Sequence, residues 1–264
     1  MENFVEIRDT IIAAFAKLQP DMDFKASALP PGWSIESLEQ YQEYRNRFKA
    51  KYETDDFTSF VAYAKELGEL HCFCTNNQAV MIFDMGSSTQ PGHGQHTAKL
   101  TLKKTAGYGA VTEIEGRSLS QKDFSDWLLD WRTALEIYPS RSDVENKVAF
   151  DDAVQRFRDI TVESLGAARH ATGDFSSEKS GSAKIEAKAK GDRPIPGFIL
   201  FACSPYRGFE ERVVGLQVSV SLGKDEPTIR LRIVGKDALD ESIALEFAEM
   251  LGEHFNVLRG TITL

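Results

Sequence analysis

The chain has 264 residues, 42% of them hydrophobic and 27% charged, with a formal net charge of -9. These proportions fit a soluble globular protein of one large or two small domains and exclude the disordered class. The acidic average disfavours indiscriminate nucleic-acid binding but leaves room for a local basic groove.

Residues 3–18 carry Phe4, Ile7, Ile11, Ile12, Phe15 and Leu18 at helical spacing, and Pro20 stops the run. The turn at Ala28 to Trp33, with Pro30-Pro31-Gly32, separates this arm, expected as residues 1–30, from the remainder of the chain. A short helix is read over Ser34 to Tyr44. Beyond it, an extended 45–52 segment would place Arg45, Arg47, Lys49 and Lys51 on one face and Phe48, Ala50 and Tyr52 on the other. Asp55 and Asp56 are candidate caps for a helix from Phe57 to Leu67. Short strands are expected at Leu70–Thr75, Ala79–Phe83 and Ala98–Lys104, with a Gly/Ser/His-rich loop over Gly86 to His96.

Ser118 or Ser120 can cap a helix carrying Phe124, Trp127, Leu128, Trp131 and Leu135, and a second helix is expected over Val148 to Leu165. The loop from Pro139 to Asn146 is the natural boundary between an α+β unit, 31–140, and a C-terminal unit, 141–264. Within the latter, Ala167–Phe175 and Ala183–Lys190 read as a polar hairpin. Phe198 to Ala202 is apolar on both faces, as in a central strand. Val214, Leu216, Val218, Val220 and Leu222 alternate with polar residues, as do Ile229, Leu231 and Ile233 with Arg230 and Arg232, predicting a long antiparallel hairpin. Leu239, Ile243, Phe247, Met250 and Leu251 then define an amphipathic helix, and Val257 to Leu264 a last strand. The fold class expected is α+β, with antiparallel sheets, a C-terminal meander covered by a helix, and a central helical pair.

The order of several short motifs carries a resemblance. Leu29-Pro30-Pro31-Gly32 with Ser37-Leu38-Glu39, Asp55 to Phe60, Ser120 to Phe124, Ile195 to Leu200 and the acidic C-terminal helix together resemble the YfdQ-like family of bacteriophage and prophage proteins. That resemblance spans nearly the whole chain, implies a phage origin and a place near phage recombination or replication, and brings no catalytic residues.

Gly107-Tyr108-Gly109 begins like a dinucleotide fingerprint but has Thr112 at the third glycine, and the stretch reads as a loop. Phosphate-loop and nucleophile-elbow motifs are absent. Cys72 and Cys74 lie beside His71, with His93 and His96 nearby, yet Cys-x-Cys on a strand lacks the usual zinc geometry, and buried inert thiols are expected. Neither metal nor cofactor is called for. Asp174 with Glu186-Ala187-Lys188 matches the short core of Mg-dependent nucleases, a pattern that a chain this charged also offers at Glu145 to Lys147.

The binding residues expected are the cations Arg45, Arg47, Lys49 and Lys51, with a second ribbon of Lys184, Lys188, Lys190 and Arg193. An acidic stripe, Glu246, Glu249 and Glu253, would face a protein partner. The function expected is that of a non-enzymatic phage accessory protein binding DNA in recombination or replication. The alternatives are a protein-binding inhibitor of a host defence or nuclease complex and, behind it, a Mg-dependent nuclease; homo-oligomerisation stays open. No apolar run approaches the ~20 residues that cross a bilayer. The acidic N-terminus lacks a secretory pattern and three cysteines fit a reducing compartment, so the host cytoplasm is expected.

Overall fold

The computed structural model describes residues 41–45, 47–68, 71–160, 188–189, 193–222 and 226–262. The helix expected at 3–18, the turn at 28–33, nearly all of the short helix after it and most of the 167–190 hairpin lie outside these residues. Two units divide at Phe48 and Lys49, and all the regular elements described belong to the second.

The fold is α+β. Strand β1 (Lys51–Thr54) leads into helix α1 (Phe57–Leu67), then β2 (His71–Cys74), β3 (Gln78–Ile82) and β4 (Thr97–Thr101). Alternation sets their buried face: Cys72, Cys74, Ala79, Met81, Ala98 and Leu100 are all buried. Helix α1 lies on β4 through Phe60, Val61 and Ala64. Its start is fixed by Asp56, whose carboxylate accepts the Ser59 N–H at 2.7 Å.

Helix α2 (Ala106–Ile114) follows, then β5 (Ser118–Ser120), α3 (Gln121–Asp130), β6 (Leu135–Tyr138) and α4 (Phe150–Arg158). A two-stranded ribbon, β7 (Lys188–Ala189) with β8 (Arg193–Pro194), precedes β9 (Phe198–Cys203), β10 (Arg212–Leu222) and β11 (Pro227–Ile233). Strands β5, β11, β10, β9 and β6 make a five-stranded antiparallel sheet in that order. Its inner face carries Ile199, Phe201, Val214, Leu216, Val218, Ile229 and Leu231, all buried. The expected helical pair packs there, although its second helix ends at Arg158 rather than reaching Leu165: Trp127 stacks on Phe201 with centroids 5.8 Å apart, and Phe124 meets Phe157 edge-on at 4.8 Å.

Helix α5 (Lys236–Gly252) buries Ile243, Phe247 and Leu251 and delivers β12 (Asn256–Arg259). The strand after α5, expected to close the C-terminal sheet, instead pairs in parallel with β2. The first sheet is thus ordered β1-β4-β3-β2-β12, with parallel pairs at both edges. A parallel pairing needs a long crossover, and no local pattern announces its partner.

Three further expectations are corrected. The stretch read as a loop at 107–112 is helix α2, because Thr105 caps it, its hydroxyl accepting the Tyr108 N–H at 3.2 Å. Packing outweighs the low helix propensity of its glycines. The helix expected to reach Leu135 stops at Asp130; a 3-10 turn, Arg132–Ala134, follows, and Leu135 to Tyr138 pair with β9. Ser118 to Ser120 form β5 against β11, while Ser120 also caps α3, as expected, accepting the Asp123 N–H at 3.0 Å.

Gly107 and Gly109 test this packing against propensity. A Cβ at Gly107 would lie 3.1 Å from the Cys203 Cβ and 3.4 Å from the Phe201 ring, whereas one at Gly109 meets nothing within 4 Å. In urea unfolding, Gly109→Ala is expected to stabilise by up to about 1 kcal/mol. Gly107→Val is expected to destabilise by about 1–3 kcal/mol through overpacking. Equal responses at the two positions would contradict a helix seated on β9.

Candidate nucleic-acid interface

The first basic segment is not a continuous strand. Regular pairing begins at Lys51, which lies opposite Thr97 of β4. Lys51 and Arg45 are exposed, Arg47 and Lys49 are half-buried, and Phe48, expected to face the core, is 63% exposed. Tyr52 does turn inward, stacked on Tyr63 with ring centroids 4.4 Å apart.

In the second ribbon, Arg193 is held by α4. Its guanidinium donates to Asp152 at 3.0 Å and reaches Asp159 at 3.5 Å. The Asp152 carboxyl is lowered below its ordinary range, first by the hydrogen bond from Arg156 and, to a lesser extent, by the charge of Arg193. Lys188 lies in β7, opposite Pro194. Lys184, Lys190, Asp174 and Glu186 fall outside the described residues. Among those described, no three His, Cys, Asp or Glu side chains gather as metal ligands.

The acidic stripe divides. Glu246 accepts the Glu210 N–H at 2.8 Å through one oxygen and the Arg212 guanidinium through the other, with both side chains largely covered. Glu249 and Glu253 are exposed, four residues apart, on a line with the exposed Leu245.

All three cysteines are buried. Burial pushes the Cys72 thiol up to about 12 and that of Cys203 to about 11, and raises Cys74 as well. These are inert thiols, as their place on the core faces of β2 and β9 requires.

The outer face of the second sheet carries a cationic group outside both expected ribbons. Registers across β5, β11 and β10 place Ser118 beside Arg230 and Arg230 beside Ser219, while Arg232 faces Gln217 and Thr228 faces Ser221. Arg230 and Arg232 are both exposed. Arg230 donates to the Ser118 hydroxyl at 2.9 Å, and the Ser221 and Thr228 hydroxyls lie 2.9 Å apart. Neither arginine has a carboxylate within ion-pair distance among the described residues, in contrast to Arg132, Arg156, Arg193 and Arg212.

Two planar guanidinium groups, roughly 7 Å apart along one strand and bedded in hydroxyl and amide groups, can bind successive anionic oxygens in a bidentate way. The signal was present in the sequence. The period that buries Ile229, Leu231 and Ile233 also turns Arg230 and Arg232 together toward water, whereas the basic runs draw attention by density alone.

A family model described as an uncharacterized conserved protein, DUF2303, matches residues 3–262, and the chain belongs to that family. No curated protein and no solved structure matches it.

Three outcomes are expected from this geometry. At pH 8 a thiol reagent should label none of the three cysteines in the native protein and all three in urea. Because the folded thiols titrate above the ordinary value near 8.5, their contribution to stability is complete below that pH and is lost as the pH rises toward 11 and 12. Unfolding titrations should also separate the acidic residues. Glu246→Gln is expected to cost about 1–3 kcal/mol by leaving Arg212 without its partner. Glu249→Gln should stay within about 0.5 kcal/mol.

Proposed function

We propose that this DUF2303 family member acts by binding DNA rather than by catalysis, as an accessory protein in bacteriophage recombination or replication. The observation that supports the binding surface is the pair of exposed arginines, Arg230 and Arg232, on a sheet face without carboxylates in their register. An antiparallel sheet with one face in water gives an extended strand of nucleic acid a surface to lie on. The phosphates supply the charge that the guanidinium groups lack among the described residues. The phage setting rests on the resemblance to the YfdQ-like family.

A second reading is favoured by the exposed line Leu245, Glu249 and Glu253 on α5. An exposed apolar side chain continued by two carboxylates suits a basic protein partner, and would make the chain an inhibitor of a host defence or nuclease complex.

Fluorescence anisotropy of labelled single- and double-stranded DNA, at two salt concentrations with magnesium present, decides between the readings. Salt-sensitive binding is expected, with Arg230→Gln/Arg232→Gln lowering affinity at least about tenfold and reducing the logarithmic salt slope by about 1.5–2. No binding at low salt would overturn the DNA reading. Loss that instead accompanies Arg47→Ala/Lys49→Ala, with the sheet variant unaffected, would move the contact surface to the N-terminal basic segment.

A further inference from the structure

Strands β1 and β4 run parallel and adjacent, and the chain leaves their ends in two directions. After Thr54 it passes Asp55 and Asp56 into α1, which lies on the first sheet; after Thr101 it passes Lys103 and Lys104 into α2, which lies on β9 of the second. The space beyond the carboxyl ends of neighbouring parallel strands whose connections part is where open sheets with helices form ligand crevices. A crevice of about 560 Å³ occupies this point, within the size range of small-molecule sites.

Its lining offers three kinds of chemistry. The first is cationic, from Lys103, Lys104 and Arg207. Lys103 and Arg207 are exposed, with no carboxylate within ion-pair distance among the described residues, although Asp56, lowered first by its hydrogen bonds with Ser59, also feels the charge of Arg207. Lys104 is held in place, donating to the Thr112 hydroxyl at 3.0 Å with its ammonium 5.7 Å from the Tyr108 ring centroid. The opening turn of α2 at Ala106 adds its positive dipole end to this charge. The second is a carboxylate, Asp55, exposed where the neighbouring Asp56 is engaged in capping α1. The third is apolar and aromatic, from Phe57, Tyr206 and Met250.

A bare anion would leave the carboxylate and the rings without a role, and a polymer needs an open face rather than a recess. A phosphate joined to a hydroxyl-bearing sugar and a flat base uses all three. We infer that the crevice binds a nucleoside 5′-phosphate. The phosphate lies against Lys103, Arg207 and the start of α2, the ribose hydroxyls donate to Asp55, and the base rests on Phe57 and Tyr206. This site shares no residue with the proposed DNA surface and does not depend on it.

Isothermal titration calorimetry of the full chain tests the assignment, with adenosine and guanosine 5′-monophosphates as probes and inorganic phosphate and adenosine as separate arms. At least one nucleotide is expected to bind saturably, about tenfold or more tighter than inorganic phosphate or adenosine. Lys103→Gln/Arg207→Gln should weaken it by about tenfold or more. Asp55→Asn should weaken the nucleotide but not inorganic phosphate, and Arg230→Gln/Arg232→Gln should leave nucleotide binding unchanged. Matching thermal melts, and recovery of binding in Lys103→Arg/Arg207→Lys, separate lost contact from lost fold. Absence of saturable nucleotide binding, or binding indifferent to Lys103→Gln/Arg207→Gln, would overturn the assignment. Inorganic phosphate binding as tightly as the nucleotides would overturn the nucleoside part.

Discussion

Thr105 makes the contact on which the arrangement of the two sheets depends. Its hydroxyl donates to the Ser204 carbonyl at 2.5 Å and accepts the Tyr108 N–H at 3.2 Å, and its own N–H donates to the Pro205 carbonyl at 3.1 Å. One side chain therefore caps α2 and joins the exit of β4 to the segment leaving β9. Lys104 adds an isolated bridge to Tyr206 beside it. The crevice lined by Lys103, Lys104 and Arg207 is bounded by this junction, so the position of its cations depends on how the first sheet is tied to the second.

The rest of the chain reinforces that tie by exchanging strands. Strands β5 and β6 leave the first half to join β11 and β9, and β12 returns from α5 to lie parallel to β2. Buried side chains from both sheets belong to one apolar cluster, in which Leu100 and Met81 of the first accompany Phe201 and Leu216 of the second. An apolar interior of this kind, rather than charge pairing, carries most of the stability. Many of the ion pairs, such as Lys147 with Glu136, are half-exposed. They orient side chains more than they hold the fold together.

What could be read from the sequence was what has a local period. The alternation at 214–222 and 229–233 gave β10 and β11, the three- and four-residue spacing of Leu239, Ile243, Phe247, Met250 and Leu251 gave α5, and Asp56 and Ser120 were legible as caps. What could not be read was set by tertiary contact. Helix α2 contains Gly107 and Gly109, which weaken any helical signal, and forms because Gly107 allows close approach to Cys203. Strands β5 and β6 are three and four residues long, too short for a period to show. The partner of β12 is chosen across most of the chain. For the sites, the density of cations in the sequence does not say which of them are paired: Arg193 meets Asp152, while Arg230 and Arg232, separated by a core residue, stand together on one face. The crevice draws its lining from four separate segments, and no linear pattern could announce it.

The junction at Thr105 is tested most directly by the unfolding free energies of Thr105→Val and Thr105→Ser. Valine keeps the shape but removes both hydroxyl bonds, and the account predicts a loss of about 2–3 kcal/mol, an N-cap of about 1 with the tie to Ser204 added. Serine, which retains the hydroxyl, should stay within about 1 kcal/mol of the native chain. A valine variant as stable as the native protein would contradict the claim that this residue joins the two sheets.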